Sequence, residues 1–308
     1  MPYDFAAHLA KYGPTSPPHL SISLDRARRY CQLLVSSHYE NFSVMSLLLP
    51  PPLRQHFPAI YAYCRWADDL GDETGGGATA MDLLRWWRTE LHACYEGRSN
   101  HPVMIALRST IDTFSIPKQP FLDLLWAFEQ DQLMKRYSTY DQLLDYCEHS
   151  ANPVGRLVLY LLGANNEHTV PLSDAICTGL QLANFWQDVA RDRAIDRVYL
   201  PEEDRRRFGY RDNDFRDQRY NQPFVNLMRF EVERTRDLFY RGMRLLELVP
   251  HEARGQIDLY LQGGLAILRK IEQIHYNVWR IRPKLGAWDK GRLMLRALTN
   301  RAVAAFPR

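Results

Sequence analysis

Residues 60–73 read IYAYCRWADDLGDE, an apolar and aromatic run that ends in four carboxylates. The apolar spacing predicts a buried helix from about Arg54 to Leu70, which ends near Asp72 before the glycines at 75–77. Asp68 and Asp72 are four residues apart, so a helix places them side by side. Like charges at this spacing destabilise a bare helix, and carboxylates at its C-terminal end oppose its dipole. A divalent cation bound to both carboxylates would reverse that cost.

A second acidic stretch follows later in the chain. Residues 181–192 read QLANFWQDVARD, in which Asn184, Asp188 and Asp192 are spaced by four. Oxygen ligands along one helical face, with room for water and phosphate oxygens, suit Mg²⁺ better than zinc or copper. For either stretch alone, a solvated acidic helix face is the plainer interpretation. The matched spacing, and the apolar helix before each stretch, favour a metal site.

Two such helices have a chemical use in common. Diphosphate is a poor leaving group until its charge is neutralised, and Mg²⁺ shared with carboxylates stabilises the departing anion. The allylic cation left behind needs an apolar pocket with aromatic faces that keeps out water. We therefore expect an enzyme that ionises a prenyl diphosphate held between the two acidic helices.

The composition excludes several other classes of protein. The 308 residues are 46% hydrophobic and 24% charged, as in ordinary globular chains, and a net charge of +3 gives no reason to expect a nucleic-acid partner. The five cysteines are widely spaced, which indicates neither a disulfide framework nor a zinc site. Residues 1–20 lack a signal-peptide core, and the longest apolar run, 157–164, is too short to span a bilayer. We expect a cytoplasmic location, with contact at the inner face of the membrane as the further option.

The periodicity predicts an all-α protein with about ten helices in a single domain, 1–308. No alternating strand pattern and no internal repeat is present. Residues 1–20 form a proline-rich leader, and residues 201–221, rich in Arg and Asp, are expected to be a surface loop. The predicted helices cover roughly 23–36, 54–70, 79–97, 100–114, 118–134, 139–163, 171–192, 220–248, 252–282 and 288–305.

The two motifs resemble those of the squalene/phytoene synthase family over roughly residues 20–290. Residues 61–72 are similar to the family's first Asp-rich signature. Residues 181–192, closed by the segment RVYLP at 197–201, are similar to the second. The resemblance implies a class I isoprenoid synthase fold, a helical bundle with a central cavity, and two or three Mg²⁺ ions.

Three shorter stretches, 38–42, 150–156 and 184–189, resemble the bacterial branch of the family that makes hydroxysqualene for hopanoids. This implies conversion of presqualene diphosphate to hydroxysqualene without NADPH, with hand-over of product to other hopanoid-pathway enzymes. Two departures from carotenoid-forming relatives favour that branch. Gln187 stands where those relatives often have Arg, and Asn41 and Phe42 stand where they usually have Ser-Phe.

The resemblance also implies roles for individual residues. The expected metal ligands are Asp68, Asp72, Asn184, Asp188 and Asp192. The expected catalytic residues are Tyr61, Arg65, Asn41, Asn152, Tyr199 and Tyr276, and the expected substrate contacts are His38, Phe42, Arg65, Val154, Gln181 and Arg197. Plainer interpretations stay open: an i,i+3 ion pair for Arg65, core tyrosines for Tyr61 and Tyr276, a solvated arginine for Arg197, and a buried histidine for His38.

Other functions remain as alternatives. Within the family, a head-to-head synthase that makes dehydrosqualene, squalene or phytoene needs the same acidic helices. An inactive member that serves as an assembly or binding protein predicts eroded acidic motifs, whereas these are intact. The basic, amphipathic stretch from Lys290 to Arg308 is suited either to closing the core or to resting on anionic lipid.

Overall fold

The structure, a computed structural model, describes residues 3–16, 22–37 and 53–302. These residues are helical, with an isolated β-bridge between Arg136 and Val198 and no strand among them, which confirms the all-α prediction. The helices are α1 (Phe5–Tyr12), α2 (Leu24–Ser37), α3 (Phe57–Asp72), α4 (Gly77–Tyr95), α5 (Pro102–Phe114), α6 (Gln119–Leu133), α7 (Tyr140–Ser150), α8 (Asn152–Leu161), α9 (Val170–Ala194), α10 (Glu202–Arg207), α11 (Asp212–Arg216), α12 (Gln222–Gly242), α13 (Leu245–Leu248), α14 (His251–Gln273) and α15 (Ala287–Ala302).

These helices group into two compact units. Unit 1 comprises Met1–Leu133 with Leu157–Gly163, and unit 2 comprises Met134–Arg156 with Ala164–Arg308. Each unit contains one of the two acidic helices, α3 in unit 1 and α9 in unit 2. The interpretation of the sequence as a single domain stays a prediction.

In unit 1, helix α3 packs against α2, α4, α5 and α6. Its inward face presents Tyr63 and Trp66, which stack on Trp87 of α4 at centroid distances of 5.8 and 5.3 Å. All three rings are fully buried, and burial of a side chain of this size stabilises a fold by roughly 2–3 kcal/mol. These three stacked rings therefore hold helix α3 in place, and the last two turns of α3 carry the first acidic motif.

In unit 2, helix α9 packs against α7, α12 and α14. Trp186 is fully buried and its Nε1 donates to Thr235 Oγ1 on α12 at 2.8 Å. Phe239 of α12 lies so close to Gly179 of α9 that a Cβ at that glycine would be 3.1 Å from the ring. Close packing on this side leaves the opposite face of α9 for the second acidic motif.

Several helices end where the periodicity did not predict. Helix α14 was expected to continue to residue 282 but ends at Gln273. His275 and Tyr276 follow with φ of 51° and 65°, a left-handed conformation that cannot continue an α-helix. Residues 274–286 instead form a non-helical connection to α15, which we call the strap.

The pattern at 139–163 was also expected to be one helix, but it is two. Helix α7 ends at Ser150 and α8 begins at Asn152, because Pro153 cannot donate a helical hydrogen bond and belongs in a first turn. The pattern at 220–248 is similarly divided between α12 and α13.

Two stretches expected to lack helix contain three short helices between them. The leader includes α1, whose first turn is capped by Asp4 Oδ1 accepting from the Ala7 amide at 3.2 Å. The stretch 201–221 includes α10 and α11, and Asp204 and Arg205 of α10 are buried rather than solvated. A salt bridge of 2.7 Å from Arg234 Nη2 to Asp204 Oδ2 attaches α10 to α12.

The last described helix, α15, packs along α14. Arg296 Nε of α15 pairs with the buried Asp258 Oδ2 of α14 at 2.8 Å. Across residues 3–16, 22–37 and 53–302, no helix is both long enough and apolar enough to cross a bilayer.

Candidate active site

The last two turns of α3 carry Asp68, Asp69, Asp72 and Glu73, which we call the α3 acidic cluster. Arg65 is central to it. Its Nη1 lies 3.1 Å from Asp68 Oδ2, while its Nη2 pairs with Asp69 Oδ1 and lies 3.5 Å from Glu73 Oε1. The ion-pair interpretation of Arg65 is thus present in the structure, and it extends over three carboxylates.

One arginine does not neutralise this cluster. The pKa of Asp68 is raised from 3.8 to about 6, first by burial and then by the negative charges of Asp72, Asp69 and Asp131, while Arg65 opposes the shift. A partly exposed carboxyl among other carboxyls, as Asp68 is, favours either a proton or a further cation. The α3 acidic cluster therefore has the electrostatic character of a cation site.

Tyr61 is half-buried one turn before Arg65, and burial raises the pKa of its phenol. The hydroxyl therefore stays protonated at neutral pH and is able to donate a hydrogen bond. This placement is compatible with the predicted catalytic role, which stays a prediction.

The second motif, Asn184, Asp188 and Asp192, lies along α9, and we call it the α9 ladder. Asn184 is exposed, Asp192 is half-buried, and Asp188 is 8% exposed. Both oxygens of Asp188 accept hydrogen bonds from Arg282 of the strap, with Nη2 to Oδ2 at 2.8 Å and Nε to Oδ1 as the second contact. The ladder is therefore partly neutralised by a side chain 94 residues away.

The ionised form of Asp192 is disfavoured in the absence of a further cation. Its pKa is raised from 3.8 to about 7 by burial and by the charge on Asp188, and the nearby Arg197, Arg282 and Arg191 lower it only in part. Near neutral pH this carboxyl is poised between its two forms, so a bound cation would shift it to the ionised form.

An aromatic cleft opens beside Asp192. The segment after α9 turns back so that the Arg197 amide donates to Asp192 O and the Val198 amide donates to Lys135 O, both at 2.8 Å. This return brings the ring of Tyr199 onto that of Phe185. The cleft is lined by Phe185, Val189, Asp192, Arg197, Val198, Tyr199, Leu200 and Phe215. It joins a carboxylate, an arginine and aromatic side chains around a space of about 10 Å³, which is close to the size of one water molecule and too small for a prenyl chain.

The donor set of both motifs fits Mg²⁺, because every candidate ligand is a carboxylate or amide oxygen. Within the part of the chain that the structure describes, no three His, Cys, Asp or Glu groups are arranged to enclose an ion by themselves. Mg²⁺ commonly binds through one or two carboxylates and completes its shell with water and phosphate oxygens. The pair of carboxylates on α3 and the pair on α9 each match this mode of Mg²⁺ binding.

The other predicted residues occupy varied positions. Asn152 is buried, and its Oδ1 accepts from Thr178 Oγ1 of α9 at 2.9 Å. Gln181 is half-buried and Val154 is 37% exposed. Tyr276 lies in the strap, with the Arg229 guanidinium 5.7 Å from its ring centroid. The predictions for His38, Asn41 and Phe42 fall outside the described residues.

Three contacts at the site were not found from the sequence. Arg282 was assigned to a helix, although the pair of arginines at 280 and 282 was a usable signal. Gln187 was considered only as a change in diphosphate contacts, whereas its Nε2 donates to Pro283 O of the strap at 2.5 Å. Tyr3, in the supposed leader, donates to Asp69 Oδ2 at 2.7 Å and so helps hold the carboxylate that anchors Arg65.

Comparison with known proteins finds relatives over most of the chain. A family model described as squalene/phytoene synthase matches residues 35–289. The squalene synthase HpnC from Alicyclobacillus acidocaldarius superposes with a TM-score of 0.80 and 43% identity, over 84% of this chain and 97% of that one. The 15-cis-phytoene synthase of Synechocystis sp. is 30% identical over 89% of this chain and 84% of its own length. The hydroxysqualene synthase of Rhodopseudomonas palustris is 38% identical, but over 53% of this chain and 55% of its own length.

Proposed function

Because this chain belongs to the squalene/phytoene synthase family, whose members use prenyl diphosphates, we propose that it is a hydroxysqualene synthase. The substrate would be presqualene diphosphate, and the products would be hydroxysqualene and free diphosphate. The observation that carries the proposal is the grouping of charged and aromatic side chains at the end of α9, where Asp192 and Arg197 adjoin the stacked rings of Phe185 and Tyr199. This arrangement suits departure of an anion next to a cation that must be shielded from bulk water.

The carboxylates of Asp68, Asp72, Asp188 and Asp192, with the Asn184 amide, would hold Mg²⁺, which supplies Lewis-acid neutralisation of the diphosphate. Arg65 and Arg197 would bind diphosphate oxygens, because a guanidinium offers several donors to an oxyanion. Both acidic motifs are needed in this proposal. The cations held by one pair of carboxylates would carry too little positive charge to neutralise the departing diphosphate.

Loss of diphosphate from presqualene diphosphate breaks one carbon–oxygen bond and leaves a cyclopropylcarbinyl cation. The aromatic rings of the cleft would stabilise that cation while the cyclopropane opens and rearranges. Water then forms the new carbon–oxygen bond and loses its proton to the released diphosphate. Asn152, whose carbonyl oxygen is fixed by Thr178, is our candidate for orienting that water through its amide hydrogens. No hydride is consumed, so NADPH is not required.

The comparisons support this product on a specific ground. Over the part that matches, the chain is 38% identical to a hydroxysqualene synthase, compared with 30% to the cyanobacterial phytoene synthase. The alternative is a head-to-head synthase that makes dehydrosqualene, squalene or phytoene from two prenyl diphosphates. The match to phytoene synthase over 89% of this chain and the 43% identity to the squalene synthase HpnC favour it.

Product analysis separates the two. The purified protein is incubated with presqualene diphosphate, farnesyl diphosphate or geranylgeranyl diphosphate, with and without Mg²⁺, and NADPH is omitted. We expect hydroxysqualene from presqualene diphosphate alone, and only with Mg²⁺. Hydrocarbon formed from farnesyl or geranylgeranyl diphosphate would instead support the head-to-head alternative. Loss of turnover in Asp68→Asn and in Asp188→Asn, but not in the exposed Asp82→Asn, would link the reaction to the two motifs.

We further propose that the region around the start of α15 rests on an anionic membrane surface. Trp288 is 93% exposed, and Lys284, Lys290 and Arg292 around it are exposed as well. The acidic neighbour Asp289 is paired with Lys270 at 2.8 Å, so the surface around Trp288 is positive. An exposed tryptophan among basic residues is suited to the interface of an anionic bilayer, where a water-insoluble triterpene product would be released.

A further inference from the structure

The strap places the guanidinium of Arg282 against the α9 ladder. We propose that Arg282 is the resident counter-cation of Asp188: it occupies this carboxylate in the metal-free enzyme and exchanges to the diphosphate when divalent metal and diphosphate bind. The inference rests on the proposed function, because it assigns Asp188 to metal binding. It adds a residue that neither acidic motif contains.

The contact between the two residues is bidentate. Arg282 Nη2 donates to Asp188 Oδ2 at 2.8 Å and Nε donates to Oδ1, and the two side chains are 29% and 11% exposed. Charge-assisted bidentate pairs are the strongest hydrogen-bonded contacts of a carboxylate. A divalent ion at the same oxygens would meet a fixed positive charge beside it, so the arginine and the metal oppose each other at Asp188.

The backbone of the strap is fixed on both sides of Arg282. On one side, Trp279 packs against Phe215 and Phe224, with ring centroids 5.2 and 5.5 Å apart. On the other, Pro283 O accepts the 2.5 Å hydrogen bond from Gln187 Nε2 of α9. The exchange therefore needs only rotation of the long arginine side chain. After it leaves Asp188, the guanidinium stays beside the ladder, where a diphosphate oxygen offers it an equivalent bidentate partner.

Arg191 provides a matched control within the same helix. Its Nε lies 3.9 Å from the same Asp188 oxygen, but its side chain is 65% exposed and makes no bidentate contact. Removing Arg191 or Arg282 removes one positive charge near Asp188. A general electrostatic effect on metal binding would appear in both variants, whereas competition for the Asp188 oxygens would appear only without Arg282.

The test is a Mn²⁺ titration of the full chain, followed by the electron paramagnetic resonance signal of free Mn²⁺, with and without inorganic pyrophosphate. We expect Arg282→Gln to bind Mn²⁺ alone about tenfold more tightly than the wild type, which corresponds to roughly 1.4 kcal/mol. Pyrophosphate should then strengthen Mn²⁺ binding less in Arg282→Gln than in the wild type, because the exchange partner is missing. Arg191→Gln should change the affinity by less than about twofold.

Unchanged or weaker Mn²⁺ binding by Arg282→Gln in the absence of pyrophosphate would overturn the proposal, because it would make Arg282 a support of the ligand and not its competitor. Circular dichroism checks that the variant is folded. If Arg282→Gln does not fold, Arg282→Lys replaces it: lysine keeps the charge but not the bidentate contact, so tighter Mn²⁺ binding is again expected, by a smaller factor.

Asp192→Asn separates failure of this inference from failure of the proposed function. If Asp192→Asn binds Mn²⁺ as the wild type does, the α9 ladder is not a metal site and the proposed function fails at this helix. If Asp192→Asn loses Mn²⁺ binding while Arg282→Gln shows the wild-type affinity, only the role of Arg282 is removed.

Discussion

The rings of Phe185 and Tyr199 stack face to face, with centroids 3.6 Å apart and planes inclined by 7°. Phe185 belongs to α9, three residues before Asp188, whereas Tyr199 lies in the segment that returns after the helix ends. Tyr137 also stacks with Tyr199, at a centroid distance of 5.8 Å. The stack attaches this return segment to the acidic helix and forms an aromatic wall next to Asp192.

The first prediction concerns that wall. Tyr199→Leu should lower kcat with presqualene diphosphate by about tenfold or more, because a π face over a developing cation in an apolar site contributes on the order of 1–2 kcal/mol. Tyr199→Phe should stay within about threefold of the wild type, since the ring and its stacking remain. Diphosphate release measures both. Equal loss in the two variants would assign the role to the hydroxyl and contradict a role for the ring.

The second prediction concerns pH and the stability of the metal-free protein. The pKa of Asp192 is about 7 in the folded chain against an ordinary 3.8. A raised pKa means that folding disfavours the ionised form, so the contribution of Asp192 to stability is complete below pH 3.8 and is lost as pH rises through 7. In EDTA at pH 8, Asp192→Asn should therefore raise Tm by about 2–4 °C for an effect on the order of 1 kcal/mol.

At pH 5, Asp192 is protonated in the folded chain but largely ionised in the unfolded chain, so the same substitution should raise Tm by less than half as much as at pH 8. Mg²⁺ at pH 8 should stabilise the wild type more than Asp192→Asn, which keeps the other proposed ligands but lacks this carboxylate. The control is Asp82→Asn, which alters an exposed carboxylate paired with Arg85 and should show neither effect. A Tm for Asp192→Asn in EDTA that is no higher at pH 8 than the wild-type value would contradict the burial argument. Differential scanning calorimetry provides these values.

The third prediction concerns the water that quenches the cation. Thr178 Oγ1 donates a hydrogen bond to Asn152 Oδ1. Thr178→Val removes this hydrogen bond and leaves the amide free to rotate, so its effect on the product should match that of Asn152→Ala. In both variants the hydroxylated fraction of the product should fall in favour of triterpene hydrocarbons, as measured by gas chromatography with mass spectrometry. Thr178→Ser keeps the donor and should keep the product ratio. An unchanged hydroxylated fraction in Asn152→Ala would remove that residue from the role.

The fourth prediction concerns the membrane surface. The protein should sediment with vesicles that contain anionic phosphatidylglycerol and not with neutral phosphatidylcholine vesicles, and salt should weaken the binding. Trp288→Ala should reduce binding about fivefold or more, since transfer of the indole to the interface is lost. The matched control is Tyr240→Ala, because Tyr240 is also exposed, at 55%, but lies on α12. Equal effects of the two substitutions would count against a surface centred on Trp288.

Much of the helical layout could be predicted because it follows from local pattern. The helix that ends at Asp72 and the helix that carries Asp188 were both expected close to their observed bounds. Their apolar faces are long and periodic, and the glycines after residue 74 mark the first end. The acidic motifs were found for the same reason, since a spacing of four is a property of one helix.

The strap could not be predicted from local pattern. Helix α14 ends because His275 and Tyr276 adopt positive φ, and neither is the glycine or asparagine that usually marks such an end. The contact of Arg282 with Asp188 joins residues 94 positions apart and depends on the packing of α9, α12 and α14. The burial of Asp69 against Tyr3 is likewise a tertiary effect, so spacing alone did not separate this carboxylate from Asp68 and Asp72.

The most direct test of the proposed reaction is the isotopic composition of the product. The purified protein is incubated with presqualene diphosphate and Mg²⁺, without NADPH, in water enriched in oxygen-18. We predict hydroxysqualene whose hydroxyl oxygen carries the heavy isotope at the enrichment of the solvent. A product without solvent oxygen, or no turnover of presqualene diphosphate while farnesyl diphosphate is consumed, would contradict the account.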